Sequence, residues 1–250
     1  MKFKHLIAAL SLTLPLTVSH FAMAAPATPE TAAPDLDIRI QNYSRVLTPE
    51  GVTREARYEE TLLRRVKHVW IARVLPVGMH DHADGDHADE KTNKKNNAGN
   101  TKEAKHKHFN HVVLPRHVFQ ENNKTQIEFV NTKDKEIIAI PVSEYDNVNF
   151  DGSWENAFYL LDPKLVKAMP LSKKASIVSG AQWREREMNG NFQRVLWDEQ
   201  KQIPLIIESG DKAGTFFRRV DVKLQAPLST KLPWQNLKGY AQKEYADFLD

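Results

Sequence analysis

The stretch that most narrows the fold runs from Gln182 to Leu224, where four apolar or alternating segments follow one another with only short polar turns between them. They occupy residues 182–188, 192–197, 203–209 and 215–224. The first turn is Asn189-Gly190, the strongest short signal for a hairpin. Both central residues of a type I′ turn need positive φ, which Asn tolerates and Gly adopts freely. Parallel neighbours would need crossovers of a dozen or more residues, and no connection here is that long. The segment is therefore expected to form an antiparallel meander. Pro204 has no N–H to give to a ladder, which assigns it to an edge strand or a strand end.

The N-terminal half repeats the pattern. Leu36, Ile38 and Ile40 alternate with Asp37, Arg39 and Gln41, the period-two signature of a half-buried strand, and Thr48-Pro49-Glu50-Gly51 supplies a turn. Residues 52–63 and 66–75 read as the next two strands, the latter stopped by Pro76. Residues 111–119, 125–130 and 137–142 continue the series, with a turn at 131–134. Helices are few. Asp162-Pro163 combines an N-cap acceptor with a first-turn proline that loses no hydrogen bond, and Leu165, Val166 and Met169 are expected on one buried face, ending before Pro170. Behind Pro233, the helical spacing of Trp234, Leu237, Ala241, Tyr245 and Phe248 predicts a C-terminal amphipathic helix, weakened by Gly239. Eight to ten strands against two or three helices, without βαβ alternation, give a mainly β (α+β) antiparallel domain. It is expected to be one domain over residues 35–250, and residues 79–105, almost devoid of large apolar side chains, read as a long disordered His-rich insertion.

The first 24 residues have the three parts of an export signal: Lys2 and Lys4, an apolar run from Leu6 to Val18, and Ala22-Met23-Ala24 at the cleavage position. That run is about 13 residues where a spanning helix needs about 20, so removal is expected rather than anchoring. Ala, Pro and Thr dominate residues 25–34, a flexible leader. The rest has no stretch of spanning length. There is no cysteine, which excludes disulfides, cysteine-based zinc or iron–sulfur sites and thiol nucleophiles. Without Lys2 and Lys4 the chain holds 33 basic and 32 acidic residues, a balance with no general pull toward nucleic acid.

Seven of ten histidines, His80, His82, His87, His106, His108, His111 and His117, crowd into 38 residues beside Asp81, Asp86 and Asp89. Imidazole is the common side-chain ligand for zinc, copper and nickel, so His80, His82, His87, His106, His108 and His111 are candidate ligands for Zn or Cu; the alternative is a solvated tract that serves solubility. Arg184, Arg186, Arg194, Arg218 and Arg219 fall on neighbouring expected strands near Glu185, Glu187 and Glu208. Cross-strand ion pairs are the ordinary explanation; an anion or headgroup site would require the arginines to converge. No nucleophile elbow, phosphate loop, dinucleotide fingerprint or zinc-protease helix occurs.

The pattern Trp183-Arg184-Glu185-Arg186, turn, Arg194-Val195-Leu196-Trp197-Asp198, Ile203-Pro204-Leu205-Ile206-Ile207-Glu208 and Asp211-Lys212-Ala213-Gly214 resembles the C-terminal strands of the periplasmic lipoprotein-carrier superfamily, with its LolA-like and RseB-like members. The rhythm of strands from Tyr43 to Val74 is similar to that family's first strands, and the likeness covers about half of the exported chain. The resemblance implies a curved antiparallel sheet or open half-barrel, closed off by helices, whose inner face receives an acyl chain or another hydrophobic ligand. In such a sheet the inner face is core and cavity together, which makes Trp70, Trp183 and Trp197 candidates for a hydrophobic pocket. The expectation is an exported, noncatalytic periplasmic protein that binds a lipid or acyl ligand or an envelope protein partner. Its rival is a Zn-, Cu- or Ni-binding or sensing protein in which the His-rich loop is the function.

Overall fold

A computed structural model describes residues 32–76 and 109–248. The segments read as export signal and His-rich insertion, and most of the stretch read as a leader, lie outside the described residues. The first three strands, β1 (Leu36–Leu47), β2 (Thr53–Arg65) and β3 (His68–Arg73), form a meander, continued by β4 (Arg116–Glu121), β5 (Lys124–Asn131) and β6 (Glu136–Ala139). The chain then passes through two 3₁₀ turns (Val142–Glu144 and Asp146–Val148) and two short helices, α1 (Trp154–Tyr159) and α2 (Pro163–Lys167). It returns through β7 (Ala181–Met188), β8 (Asn191–Asp198), β9 (Ile203–Asp211) and β10 (Phe216–Gln225), and ends in β11 (Ala241–Glu244), flanked by 3₁₀ turns at Pro233–Asn236 and Tyr245–Phe248.

Among the described residues, all eleven strands belong to one open, curved sheet in the order β11-β6-β5-β4-β3-β2-β1-β10-β9-β8-β7. The chain thus builds outward from the middle, crosses to the far edge and works back until β10 zips antiparallel onto β1, from Asp37↔Gln225 to Val46↔Phe216. Every pairing is antiparallel except β11 on β6. Turn chemistry fixes the registers. Asn189-Gly190 has φ of 53° and 76°, and Asn122-Asn123, between β4 and β5, has 49° and 60°, as type I′ hairpins require. Pro204 is the second residue of β9, beside a bulge at Leu196/Trp197, so the missing N–H falls at a strand end where the ladder is already interrupted.

Because side chains alternate across a strand, the registers sort residues onto two faces. The inner face carries Ile38, Ile40, Leu62, Val69, Ile71, Val118, Ile127, Phe129, Ile138, Val220 and Val222, and Tyr145, Val148, Phe150 and Phe158 pack onto it to complete the main core. Asp162 caps α2 by accepting from the Lys164 N–H at 2.8 Å, with Pro163 in the first turn. Val166 and Met169 are buried against Val195 and Trp197. Leu165, expected on the same face, is 65 % exposed.

Two expectations need correction, and one helix was not expected. The C-terminal helix does not form: Gly239 adopts φ +86°, and the open edge of β6 offers a row of unpaired backbone groups that residues 241–244 satisfy as a parallel strand. Tertiary pairing overrides a weak helical period. The strand expected from residue 111 begins at Arg116, because residues 111–114 form a turn. Helix α1 was absent from the sequence reading; its local cause is Ser153, whose Oγ accepts from the Asn156 N–H at 3.0 Å as an N-cap.

Candidate binding cavity

Arg64 shows how the inner face is closed. It lies on β2 at the parity of Leu62, is 1 % exposed, and has no carboxylate within ion-pair distance among the described residues. Its guanidinium donates to backbone carbonyls instead: Pro34 (3.1 Å from Nε and 2.9 Å from Nη2), Phe158 (3.4 Å), Gln202 (3.3 Å) and Lys201 (2.6 Å). One side chain thus ties the entry to β1, the end of α1 and the β8–β9 turn together. Burial pushes its pKa down to about 10, which leaves it charged at neutral pH. Arg65 does comparable work beside it, pairing with Asp37 at 2.8 Å and donating to the carbonyl of Ser229 at 2.9 Å.

Between this closure and the sheet remains a cavity of about 390 Å³, lined by Ile40, Asn42, Glu60, Ile71, Arg116, Val118, Ile207, Arg218 and Val220 from the strands. Asn149, Phe150, Asp151, Asn156, Ala157, Leu160 and Leu161 form the opposing wall. That wall is held by local chemistry. Asp151 accepts from the Ser153 N–H at 2.9 Å and from Asn156 Nδ2 at 2.6 Å. Leu160 caps the C-terminus of α1 at φ +66°, a left-handed conformation that bulky residues rarely adopt. The reversal there ends the helix, and both Leu160 and Leu161 line the cavity. The volume is within the range of about 300–1,000 Å³ usual for small-molecule pockets.

The cavity is amphipathic. Glu60 accepts from Asn42 Nδ2 at 3.3 Å. Arg116, on β4 between Ile71 and Phe129, has no ion-pair or hydrogen-bond partner among the described residues, and its Nε is fully shielded. Desolvation pushes its pKa down, opposed chiefly by the more distant carboxylate of Glu60.

The three tryptophans expected to share a pocket do not meet, and none lines the cavity. Trp197 is on the inner face, 0 % exposed, sealed by Val166 and Met169 of α2. Trp183 packs on the outer face with Ala181 and Leu196 beneath the Lys174 ammonium, 3.8 Å from the ring centroid. Trp70 is on the outer face of β3 beside His117, at a centroid distance of 5.9 Å. Val69-Trp70-Ile71 is apolar on both sides of the strand, so composition alone could not assign Trp70 to a face.

Of the expected metal ligands, His80, His82, His87, His106 and His108 lie outside the described residues. His111 is 3.3 Å from Asn149 Nδ2, and no group of three or more metal-ligating side chains assembles among the described residues. His117 instead belongs to an outer-face relay. Its Nδ1 is 2.9 Å from Glu128 and its Nε2 is 3.0 Å from His68 Nδ1. Both imidazoles stack on Trp234, with centroids at 5.5 and 5.3 Å. With Glu128 accepting from His117 Nδ1–H, His117 Nε2 accepts in turn from His68 Nδ1–H.

The arginines singled out in the sequence mostly serve the sheet. Arg194 pairs across strands with Glu185 at 3.6 Å, Arg219 bridges Glu208 and Asp221, Arg184 donates to the carbonyls of Lys167 and Met169 at 3.0 and 3.1 Å, and Arg186 donates to Gln193 at 3.4 Å. Only Arg218 reaches the cavity. Arg116, the half-buried cation there, was missed; its parity with Val118 was the available signal. Among the described residues no helix is long and apolar enough to cross a membrane.

No protein-family pattern and no curated protein matches the chain in sequence. In structure it is similar to a LolA superfamily protein from Nitrosomonas europaea (7 % identity, 82 % of this chain and 90 % of that one, TM-score 0.30). It is also similar to a chain in the MucA/MucB complex of Pseudomonas aeruginosa (10 % identity, 78 % and 54 %, TM-score 0.33) and to PNGF-II (10 % identity, 85 % and 32 %, TM-score 0.33). The chain spans about a third of the length of PNGF-II and about half of the matched chain of the complex.

Proposed function

We propose that the protein is exported to the periplasm and acts there as a noncatalytic carrier, holding an acyl chain, free or borne by an envelope protein, in the cavity between the sheet and α1. The observation that carries this reading is the cavity itself. On the inner face, the sheet and the wall at Phe150, Ala157, Leu160 and Leu161 border a space of about 390 Å³, half of whose lining residues are aliphatic. Burying an acyl chain there removes apolar surface from water at about 25 cal/mol per Å². The export pattern in residues 1–24 supports the compartment.

The test is native mass spectrometry of the protein purified from its own cells, combined with titration by the neutral apolar fluorophore N-phenyl-1-naphthylamine. A noncovalent adduct in the mass range of an acylated molecule is expected, together with a saturable fluorescence rise that is lost when Ala157→Trp fills the cavity. An adduct-free spectrum with no saturable rise would contradict the reading.

A further inference from the structure

The cavity has a polar end that an acyl chain alone does not use. Arg116 projects from β4 onto the inner face, where Ile71 and Phe129 are its cross-strand neighbours. Its Nε is shut off from solvent and no described residue accepts from any of its nitrogens. A guanidinium carries five donors in a fork that matches the two oxygens of a carboxylate or phosphate, and a half-buried cation with a shielded Nε and no protein acceptor gains when an anion completes it. The nearby carboxylates do not. Asp151 is spent on Ser153 and Asn156, Glu60 is engaged by Asn42, and neither is within ion-pair distance of Arg116. Arg64, by contrast, is satisfied by carbonyls throughout, so the deficit is particular to Arg116. From Arg116 the lining runs over Ile71 on β3 and, past Glu60 on β2, to Ile40 on β1, Val220 on β10 and Ile207 on β9, a row of aliphatic side chains that leads away from the charge with Glu60 and Asn42 beside it.

We propose that the ligand of this cavity is an anionic amphiphile, an acyl chain ending in a carboxylate or a phosphate monoester, seated with its anionic head on Arg116 and its tail along Ile71, Ile40 and Val220. This rests on the cavity-binding reading above and adds the chemistry of the head. Arg218, exposed and also lining the cavity, contributes a weaker, salt-screened attraction.

Calorimetric titration of the protein with dodecanoate, dodecyl phosphate and the neutral dodecanol tests it. Both anions are expected to bind at least about tenfold more tightly than dodecanol, the effect of one charge-assisted hydrogen-bonded pair. The tighter of the two anions identifies which head the site is shaped for. Arg116→Gln should erase most of that preference, bringing the two anions to within about twofold of dodecanol, whereas Arg116→Lys should retain part of it. The wild-type comparison needs no variant and so stands even if a substitution at β4 prevents folding. Equal binding of all three ligands overturns the anionic-head assignment and leaves the carrier reading intact. Binding of none of them overturns both.

Discussion

Arg64 and His68, four residues apart on β2 and β3, make opposite demands on their surroundings. Arg64 stays charged inside the protein because four backbone carbonyls accept from it, so Arg64→Met leaves those acceptors orphaned in the core. Loss of about 3 kcal/mol of stability is expected, measured by urea unfolding; a loss below about 1 kcal/mol would mean the carbonyls find other partners. His68 has its pKa lowered from 6.5, first by burial and then by the neighbouring His117, with Glu128 opposing. Between that lowered value and the ordinary one, the unfolded chain binds more protons than the folded one, so stability is complete above about pH 6.5 and is lost as the pH falls through the folded value. The thermal midpoint should therefore drop between about pH 7 and about pH 5, and His68→Asn should show a shallower drop; parallel curves for the two proteins would count against the relay. Neither residue's role was apparent from its type. A charged or titratable residue in a strand reads as a solvated position, and only parity with Leu62 and Val118 marked Arg64 and Arg116 as inward.

At the scale of elements, the strands were legible and the edges were not. Alternation at Leu36, Ile38 and Ile40, the Asn189-Gly190 turn and Pro204 at a strand end are local properties of the chain, and the structure has them where alternation and turn chemistry put them. Strand β11 was invisible because its reason is the unpaired edge of β6, which lies about a hundred residues away in sequence. Its neighbours then fasten that end of the molecule: Trp234 stacks on the outer-face imidazoles, and Tyr245 meets Phe109 at 5.5 Å in the inner core. Gly210 gives a sharper test of strand packing. A Cβ there would stand 2.7 Å from the Phe216 carbonyl oxygen and 2.9 Å from Phe192 Cζ; the backbone contact is the harder one to relieve. Gly210→Ala should destabilise by about 1–3 kcal/mol, read from the urea midpoint, and a neutral result would show that the β9–β10 hairpin opens readily.

The whole molecule is two meanders joined at one seam. Strands β1 and β10 pair across almost the entire described chain, so the central pairing is its least local one, and folding should be slow, on the order of milliseconds to seconds by stopped flow; microsecond folding would imply that the seam is not rate-limiting. No local pattern announces such a seam. The same long-range closure explains why this cavity was hard to read from the sequence: the tryptophans were the obvious apolar candidates, whereas this cavity is walled by Ile40, Ile71, Val118, Ile207 and Val220 and by the α1 segment. The central claim is that an acyl chain occupies this space on the inner face. Methyl NMR with a doxyl-labelled fatty acid tests it most directly. The account predicts paramagnetic broadening of the methyls of Ile71, Val118, Ile207 and Val220, with those of Val130, Ile137 and Ile206 on the outer face unchanged; broadening confined to the outer-face set, or spread evenly over both, would contradict it.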